Sequence, residues 1–365
     1  MWCLMKKSAL LLAAIFLTLT LTFTVTALIP VHAQAKKVVG LDLTYRDTEK
    51  GKDYRVKDLY FGGKDDLLMW LEGNLTAAGY QAKEINGFTS ANLQGVDALV
   101  LSKIHDPTWN YTADEISAIA SWFKTGGKFL WVGSDSDFVE SYYTASNGGF
   151  KEDQPNKVLA AVGSALRVEY GAVEDAESNA GGAYRVVADA SKGGANTEGV
   201  AGTITKNAPT VLFHGPTIVV GFKDGKFVPF DQVQDDDNVF WLYRTTEQGA
   251  IVHSVAYPAQ TVAAGQKGRF VLAAAQRMNV AGMFGGQYSK VLAAGESIMG
   301  DRNGMNTVYS GVKLSGPTFI LNAMAWGLNG EQSPIDPIVY ALVGVIVVIV
   351  VVVAAIVMRR GKKKA

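Results

Sequence analysis

The stretch GKFLWVGSDSDF, Gly127 to Phe138, decides the fold. Its core, Phe129 to Gly133, is uncharged and apolar at successive positions, which suits a strand covered on both faces. The strand runs straight into a small, acidic turn, Ser134-Asp135-Ser136-Asp137. Many α/β enzymes carry a nucleophile at such a turn. Here the turn offers hydroxyls and carboxylates and no thiol.

Upstream, Thr112-Ala113-Asp114-Glu115 reads as a capping box. The helix after it buries Ile116, Ile119 and Phe123 and stops at Gly126-Gly127. Val96 to Ser102 (VDALVLS) is a nearly continuous apolar strand, Tyr80 to Ile85 another, and Lys37 to Leu43 (KVVGLDL) the first. Between them Lys64 to Ala78 is a helix with Leu68, Leu71 and Leu75 on one face. Strand, helix, strand, strand, helix, strand predicts an α/β fold with a mostly parallel, doubly wound sheet.

Downstream the pattern is less regular. Lys157 to Ala165 reads as a helix, and the Gly-rich segments 147–150 and 193–202 read as loops. Thr210 to Phe222 forms one strand or two short ones; Ala250 to Ala256, Arg269 to Ala275 and Ser289 to Ala294 are further strands. Pro317 to Leu328 is a closing helix with Phe319, Ile320, Met324 and Leu328 inward. Added antiparallel strands are expected here. There is no internal repeat and no low-complexity segment.

The two ends set the expected topology. Lys6 and Lys7, an apolar run to Ile29 and the small-residue site at Val31-His32-Ala33 make residues 1–33 a secretory signal. The run is long for a signal, so an uncleaved anchor is the alternative to cleavage after Ala33. Ile338 to Met358 carries no charge, and a helix of that length spans a hydrocarbon core of about 30 Å. Arg359, Arg360, Lys362, Lys363 and Lys364 follow, so residues 359–365 are placed in the cytoplasm and residues 34–330 outside it. The connector 331–337 reaches at most about 25 Å, which holds the domain close to lipid. The expectation is a single-pass type I protein of the cell membrane, exposed at the cell surface.

The chain has 34 basic and 34 acidic residues. Setting aside the seven cations of the two ends leaves 27 basic against 34 acidic, an acidic ectodomain that argues against nucleic acid. The single cysteine, Cys3, lies in the signal. A cleaved chain would have no disulfide, no zinc–thiolate site and no thiol nucleophile. No cofactor or metal centre is assigned.

VDALVLS, FKTGGKFLWVGS, PNKVLAAVGSALRVEYG and FILNAMAWGL, in this order, resemble a class I glutamine-amidotransferase-like domain. More narrowly, they resemble its non-enzymatic, membrane-associated branch. That branch includes the non-catalytic, amidotransferase-like subunit of oligosaccharyltransferase and the extracytoplasmic component of gliding-type ABC transporters. The likeness to the former extends to TVLFHGPTIVVG and RFVLAAAQ. Unlike that subunit, this chain leaves little room for an extra β domain before the anchor. The resemblance implies a flavodoxin-like, amidotransferase-like sheet over residues 37–330. In an active member a Gly-x-Cys-x-Gly elbow holds a thiolate and a His beside a carboxylate activates it. Here the comparable stretch is Gly133-Ser134-Asp135-Ser136-Asp137, and none of His32, His105, His214 or His253 has an acidic residue two positions on. Glutaminase chemistry is therefore not expected. A Gly-x-Ser-x-Gly elbow is absent in every register as well.

The candidate site is the crevice outside the carboxyl ends of the strands. Asp42 ends the first strand, Lys103 follows the third, and Ser134, Asp135 and Asp137 follow the fourth. They could hold calcium or glycan hydroxyls, or cap helices and face water. Trp109, Tyr111, Tyr142 and Tyr143 lie nearby, suited to sugar stacking, a partner interface or local packing. Asp235-Asp236-Asp237-Asn238 reads as a solvated turn, and His214 and His253 as core imidazoles. Asn74 and Asn110 head glycosylation sequons, Asn110 in a loop and Asn74 inside a helix.

The expected role is a non-catalytic subunit of a membrane complex, most specifically an oligosaccharyltransferase-like accessory subunit in protein N-glycosylation. Its partners would be a polytopic glycosyltransferase or transporter permease, membrane lipid and, at the crevice, glycan. The alternative is a ligand-binding or sensing ectodomain serving an ABC transporter. A hydrolase using the carboxylates is the third option.

Overall fold

The computed structural model describes residues 36–42, 46–47, 52–53, 64–101, 111–136, 150, 152–235, 238–252, 260–280, 288–298 and 305–330. The signal, connector and anchor expected at the two ends lie outside them. Among the described residues no helix is long and apolar enough to cross a membrane.

Seven strands form the central sheet: β1 (Val38–Asp42), β2 (Gln81–Ile85), β3 (Ala98–Val100), β4 (Phe129–Gly133), β5 (Val239–Arg244), β6 (Val271–Asn279) and β7 (Tyr288–Ala294). Their order is β5-β6-β7-β4-β3-β1-β2. The five strands from β7 to β2 pair in parallel, while β5 and β6 extend the sheet antiparallel. The fold is thus mixed α/β, with a mostly parallel core and an antiparallel flank.

Along β4, side chains alternate between two cores. Phe129 and Trp131 join the layer of Leu71, Leu75, Phe319 and Ile320, whereas Leu130 and Val132 join that of Ile119, Phe123, Val158 and Leu159. Helices therefore cover both faces: α1 (Lys64–Ala77) and α5 (Gly316–Leu328) on one, α2 (Ala113–Phe123) and α3 (Asp153–Ala161) on the other. The α2 capping box is complete, with Thr112 Oγ1 accepting from the Glu115 amide and Glu115 Oε2 from the Thr112 amide. A short helix, α4 (Gly199–Ile204), packs beside α5.

The structure departs from the sequence expectation in four places. The third helix begins at Asp153 rather than Lys157, because Gln154 and Asn156 are buried polar residues that hide its first turn from a hydrophobic pattern. Residues 193–202 contain α4 rather than loop alone. The Thr210–Phe222 run takes the second of its two expected forms, dividing at Gly215-Pro216 into strands Thr210–His214 and Val219–Lys223, but their partners differ from expectation. These pair antiparallel with Arg185–Asp189 and Leu166–Val168, neither of which was expected. Strand β5 was also missed, since an acidic run precedes it.

α5 runs opposite to β4. Phe319 packs at 5.4 Å on Trp131, late in the strand, and Trp326 at 5.9 Å on Phe129, at its start. The fully buried Lys290, near the start of β7, donates from Nζ to the carbonyls of Trp326 (2.7 Å) and Asn329 (2.9 Å). Its charge thereby satisfies the carbonyl end of the helix dipole. The described chain also enters at this amino edge, where Val38 N and Lys37 Nζ donate to Asp97 at 2.9 and 3.1 Å. The domain thus begins and ends at the edge opposite the strand carboxyl ends.

Phe319 also meets Tyr243 at 4.9 Å, so it keys α5 to both β4 and β5. Phe319→Ala is expected to lower stability by about 3–5 kcal/mol, measured by urea denaturation of the solubilised chain.

Candidate functional site at the carboxyl edge

Three strands of the parallel core, β1, β4 and β7, deliver buried polar residues to the carboxyl edge: Asp42, Ser134 to Ser136, and Glu296 with Ser297. Asp42, the last residue of β1, is fully buried, and its Oδ2 accepts from Tyr111 Oη at 3.0 Å. Tyr111 is held in turn by its amide, which donates to Gln154 Oε1 at 3.0 Å, and by an edge contact with Phe88 at 5.6 Å. A buried carboxylate requires such donors, because without them its desolvation is uncompensated. Tyr111 is therefore local packing that links β1, α2 and α3.

At the end of β4 the crowding is of backbone. The Ser134 amide donates to Ala294 O and the Ser297 amide to Ser134 O, both at 3.0 Å, while Ser297 Oγ donates to Leu101 O at 3.2 Å. Ser136 N donates to Asp135 Oδ1 at 3.0 Å and to Gly215 O at 3.2 Å. A third segment crosses here. Thr217 N donates to Gly295 O at 3.1 Å, and His214 N to Glu296 Oε2 at 2.6 Å. Two glycines make this approach possible: a Cβ on Gly133 would lie 2.2 Å from Ser297 Cα, and one on Gly295 would lie 1.9 Å from Thr217 O. As a result Ser134, Asp135 and Ser136 are 4%, 8% and 1% exposed.

Of the sequence candidates, the structure places Asp42, Ser134 and Asp135 on one edge. Asp42 and Asp135 do not sit on adjacent strands, because β3 lies between β1 and β4. At about 4.8 Å per strand their backbones stand about 10 Å apart. Lys103, Asp137 and Asn110 lie outside the described residues, as do His105, Trp109, Tyr142, Tyr143 and His253. Among the described residues no group of three or more His, Cys, Asp or Glu side chains could hold a metal ion. Asn74 sits in α1 and its Nδ2 donates to Trp70 O at 2.7 Å, a bond that a glycan there would break. His214 is not a core imidazole. It ends its strand half-buried, with its ring edge-on to Tyr184 at 5.4 Å and 6.4 Å from Tyr309.

Sequence reading missed Glu296 and Ser297, which complete this edge. A signal existed: AAGES after β7 repeats the form of WVGSDS after β4, a buried apolar strand ending at Gly and then polar residues.

No family model matches the chain, and no curated protein does. Among solved structures, it is similar to the mmIFT52 N-terminal domain at 13% identity and TM-score 0.48, covering 81% of this chain and 100% of that one. It is also similar to a GMP synthase subunit protein from Thermoplasma acidophilum, at 11% identity and TM-score 0.33, covering 81% of this chain and 95% of that one. Similarity at this level speaks to neither activity nor partner.

Gly295→Ala is expected to lower stability by more than about 2 kcal/mol, since the obstruction is backbone. The control Gly73→Ala, in α1 with open space around its Cβ, should raise stability by about 0.5–1 kcal/mol. Thermal melts of both variants check the contrast.

Proposed function

We propose that the chain is a non-catalytic, membrane-anchored extracytoplasmic subunit of a membrane complex, most specifically an oligosaccharyltransferase-like accessory subunit in protein N-glycosylation. The observation that carries the reading is the closed carboxyl edge. The place where this class of sheet exposes a nucleophile is filled by the protein's own backbone, with Ser134 beneath the 295–297 crossing and Ser136 bonded to Gly215 of the 214–218 segment. A side chain that must meet a substrate cannot work from under a strand connection.

The direction of the ends supports the anchored part. The sequence places a signal before residue 34 and a span at 338–358, and the folded domain starts and stops at its amino edge. With a connector of about seven residues the amino edge would face the bilayer. The carboxyl edge would stand off by at least the length of β4, about 17 Å. A polytopic partner would then meet the lower flanks of the domain. The glutamine-amidotransferase-like resemblance and the missing thiol belong to the same reading.

Affinity purification of the full chain from its own membranes in mild detergent, followed by mass spectrometry, tests it. The expected result is co-recovery of a polytopic glycosyltransferase. Recovery of a permease with its ATPase would favour the transporter-associated alternative, and recovery of the chain alone would overturn the subunit reading. Independently, the purified chain should release no ammonia from glutamine above the blank; turnover would refute the non-catalytic assignment.

A further inference from the structure

The antiparallel flank carries a feature that the closed edge does not use. Trp241 and Arg244 are three residues apart on β5, a spacing that in a regular strand puts side chains on opposite faces. The pairing of β5 with β6 slips at Trp241/Tyr243 and again at Tyr243/Arg244, so the strand is bulged there. A bulge re-aims a side chain. Here it brings the Arg244 guanidinium over the indole of Trp241, 4.1 Å from the ring centroid.

This stacked pair stands between two grooves that share Gln234, Trp241 and Arg244. One, of about 360 Å³, continues past Asp231, Gln266 and Arg269; the other, of about 520 Å³, past Asn196 and Glu198. Together they fall in the size range of small-ligand sites. Arg244 Nε donates to Gly193 O at 2.9 Å, and among the described residues no carboxylate forms an ion pair with this guanidinium. Arg269 does have a partner, donating from Nε to Glu247 Oε1 at 2.7 Å, yet it flanks the same glycine, whose Cβ would lie 2.7 Å from Arg269 Nη1. Partial burial and the neighbouring Arg269 charge, opposed by Glu247, hold Arg244 below the usual guanidinium range. An anion at Arg244 would relieve that position.

We infer that these grooves bind an acidic sugar, its carboxylate held by Arg244 and its ring packed beside Trp241. A guanidinium fork suits a planar carboxylate, and the indole suits an apolar sugar face. Asp231 and Glu198 in the walls accept hydrogen bonds from hydroxyls and oppose a doubly charged phosphate. Gln234, Gln266 and Asn196 supply the neutral donors and acceptors. The site is separate from the closed carboxyl edge and stands whether or not the anchored-subunit reading does.

The test is calorimetric titration of the full detergent-solubilised chain with glucuronate, glucose and inorganic phosphate. Glucuronate should bind saturably and at least tenfold more tightly than glucose or phosphate. Arg244→Gln should weaken glucuronate at least tenfold while leaving the weak glucose binding and the melting temperature unchanged. Arg244→Lys should recover only part of the loss, because the fork is gone. Absence of saturation, equal binding of glucose, phosphate binding as tight as glucuronate, or full affinity in Arg244→Gln would each overturn the assignment. Should Arg244→Gln unfold, competition saturation-transfer NMR on the unmodified chain decides: glucuronate signals that survive a tenfold excess of glucose support a carboxylate-directed site, and signals that glucose displaces refute it.

Discussion

At the end of β4 the backbone of Ser297 passes over Gly133 with no room for a side chain between them. The hydrogen bonds Ser134 N to Ala294 O and Ser297 N to Ser134 O close that contact from both sides. Much of the domain is placed by it. It marks how far β7 runs beside β4 before the chain leaves the sheet. It also forces the 214–218 segment to cross outside, where Gly295 meets Thr217 under the same restriction. Each crossing converts a strand end that faces solvent in an open sheet into a buried, hydrogen-bonded layer.

A column of aromatic rings carries this order from the closed edge to the other. Tyr243, Phe319, Trp131, Phe129 and Trp326 contact one another in sequence at 4.9 to 6.3 Å. The column fixes α5 along its whole length and ends at Lys290, whose buried charge is compensated by two helix-terminal carbonyls and by the Trp326 ring at 5.0 Å. A lysine in a core is costly unless its donors are used. Here it works as the cap that a solvent-exposed helix would take from water. The last described turn of the domain is thereby held firmly at the amino edge.

What could be read from sequence was what is local. The β4 strand, the capping box of α2 and the stop at Gly126-Gly127 depend on neighbours within a few residues, and the structure has them where the pattern puts them. Strand β5 went unread although Val239 to Tyr243 is a continuous apolar run like that of β4; the acidic residues just before it drew the segment into a solvated turn. The first turn of α3 was hidden for a different reason. Gln154 and Asn156 are buried to satisfy Tyr111 N and the Val168 backbone, partners distant in the chain. Asp42 was found as a strand-end carboxylate, but its enclosure by Tyr111 is a tertiary fact. For the same reason Glu296 and Ser297 went unnoticed although their strand was found.

The flank and the closed edge are two outcomes of one physical choice. A parallel strand end can be left open for chemistry or filled for rigidity, and the same atoms cannot do both. Once 294–298 and 214–218 fill the centre, the place left for recognition on this side is the outer strand, whose far edge is met only by the short 194–196 segment, Asn196 N donating to Leu242 O and Arg244 N to Gly194 O, both at 2.9 Å. An outer strand is normally a liability that proteins blunt with bulges and charge. On β5 the bulge and the charge coincide at Arg244, and they leave a stacked cation over an indole with grooves on either side. Blunting alone would be served by a solvated lysine. A guanidinium partly withdrawn from water beside Arg269, whose acidic neighbour Glu247 is bonded to Arg269 and not to Arg244, keeps its charge available to an anion.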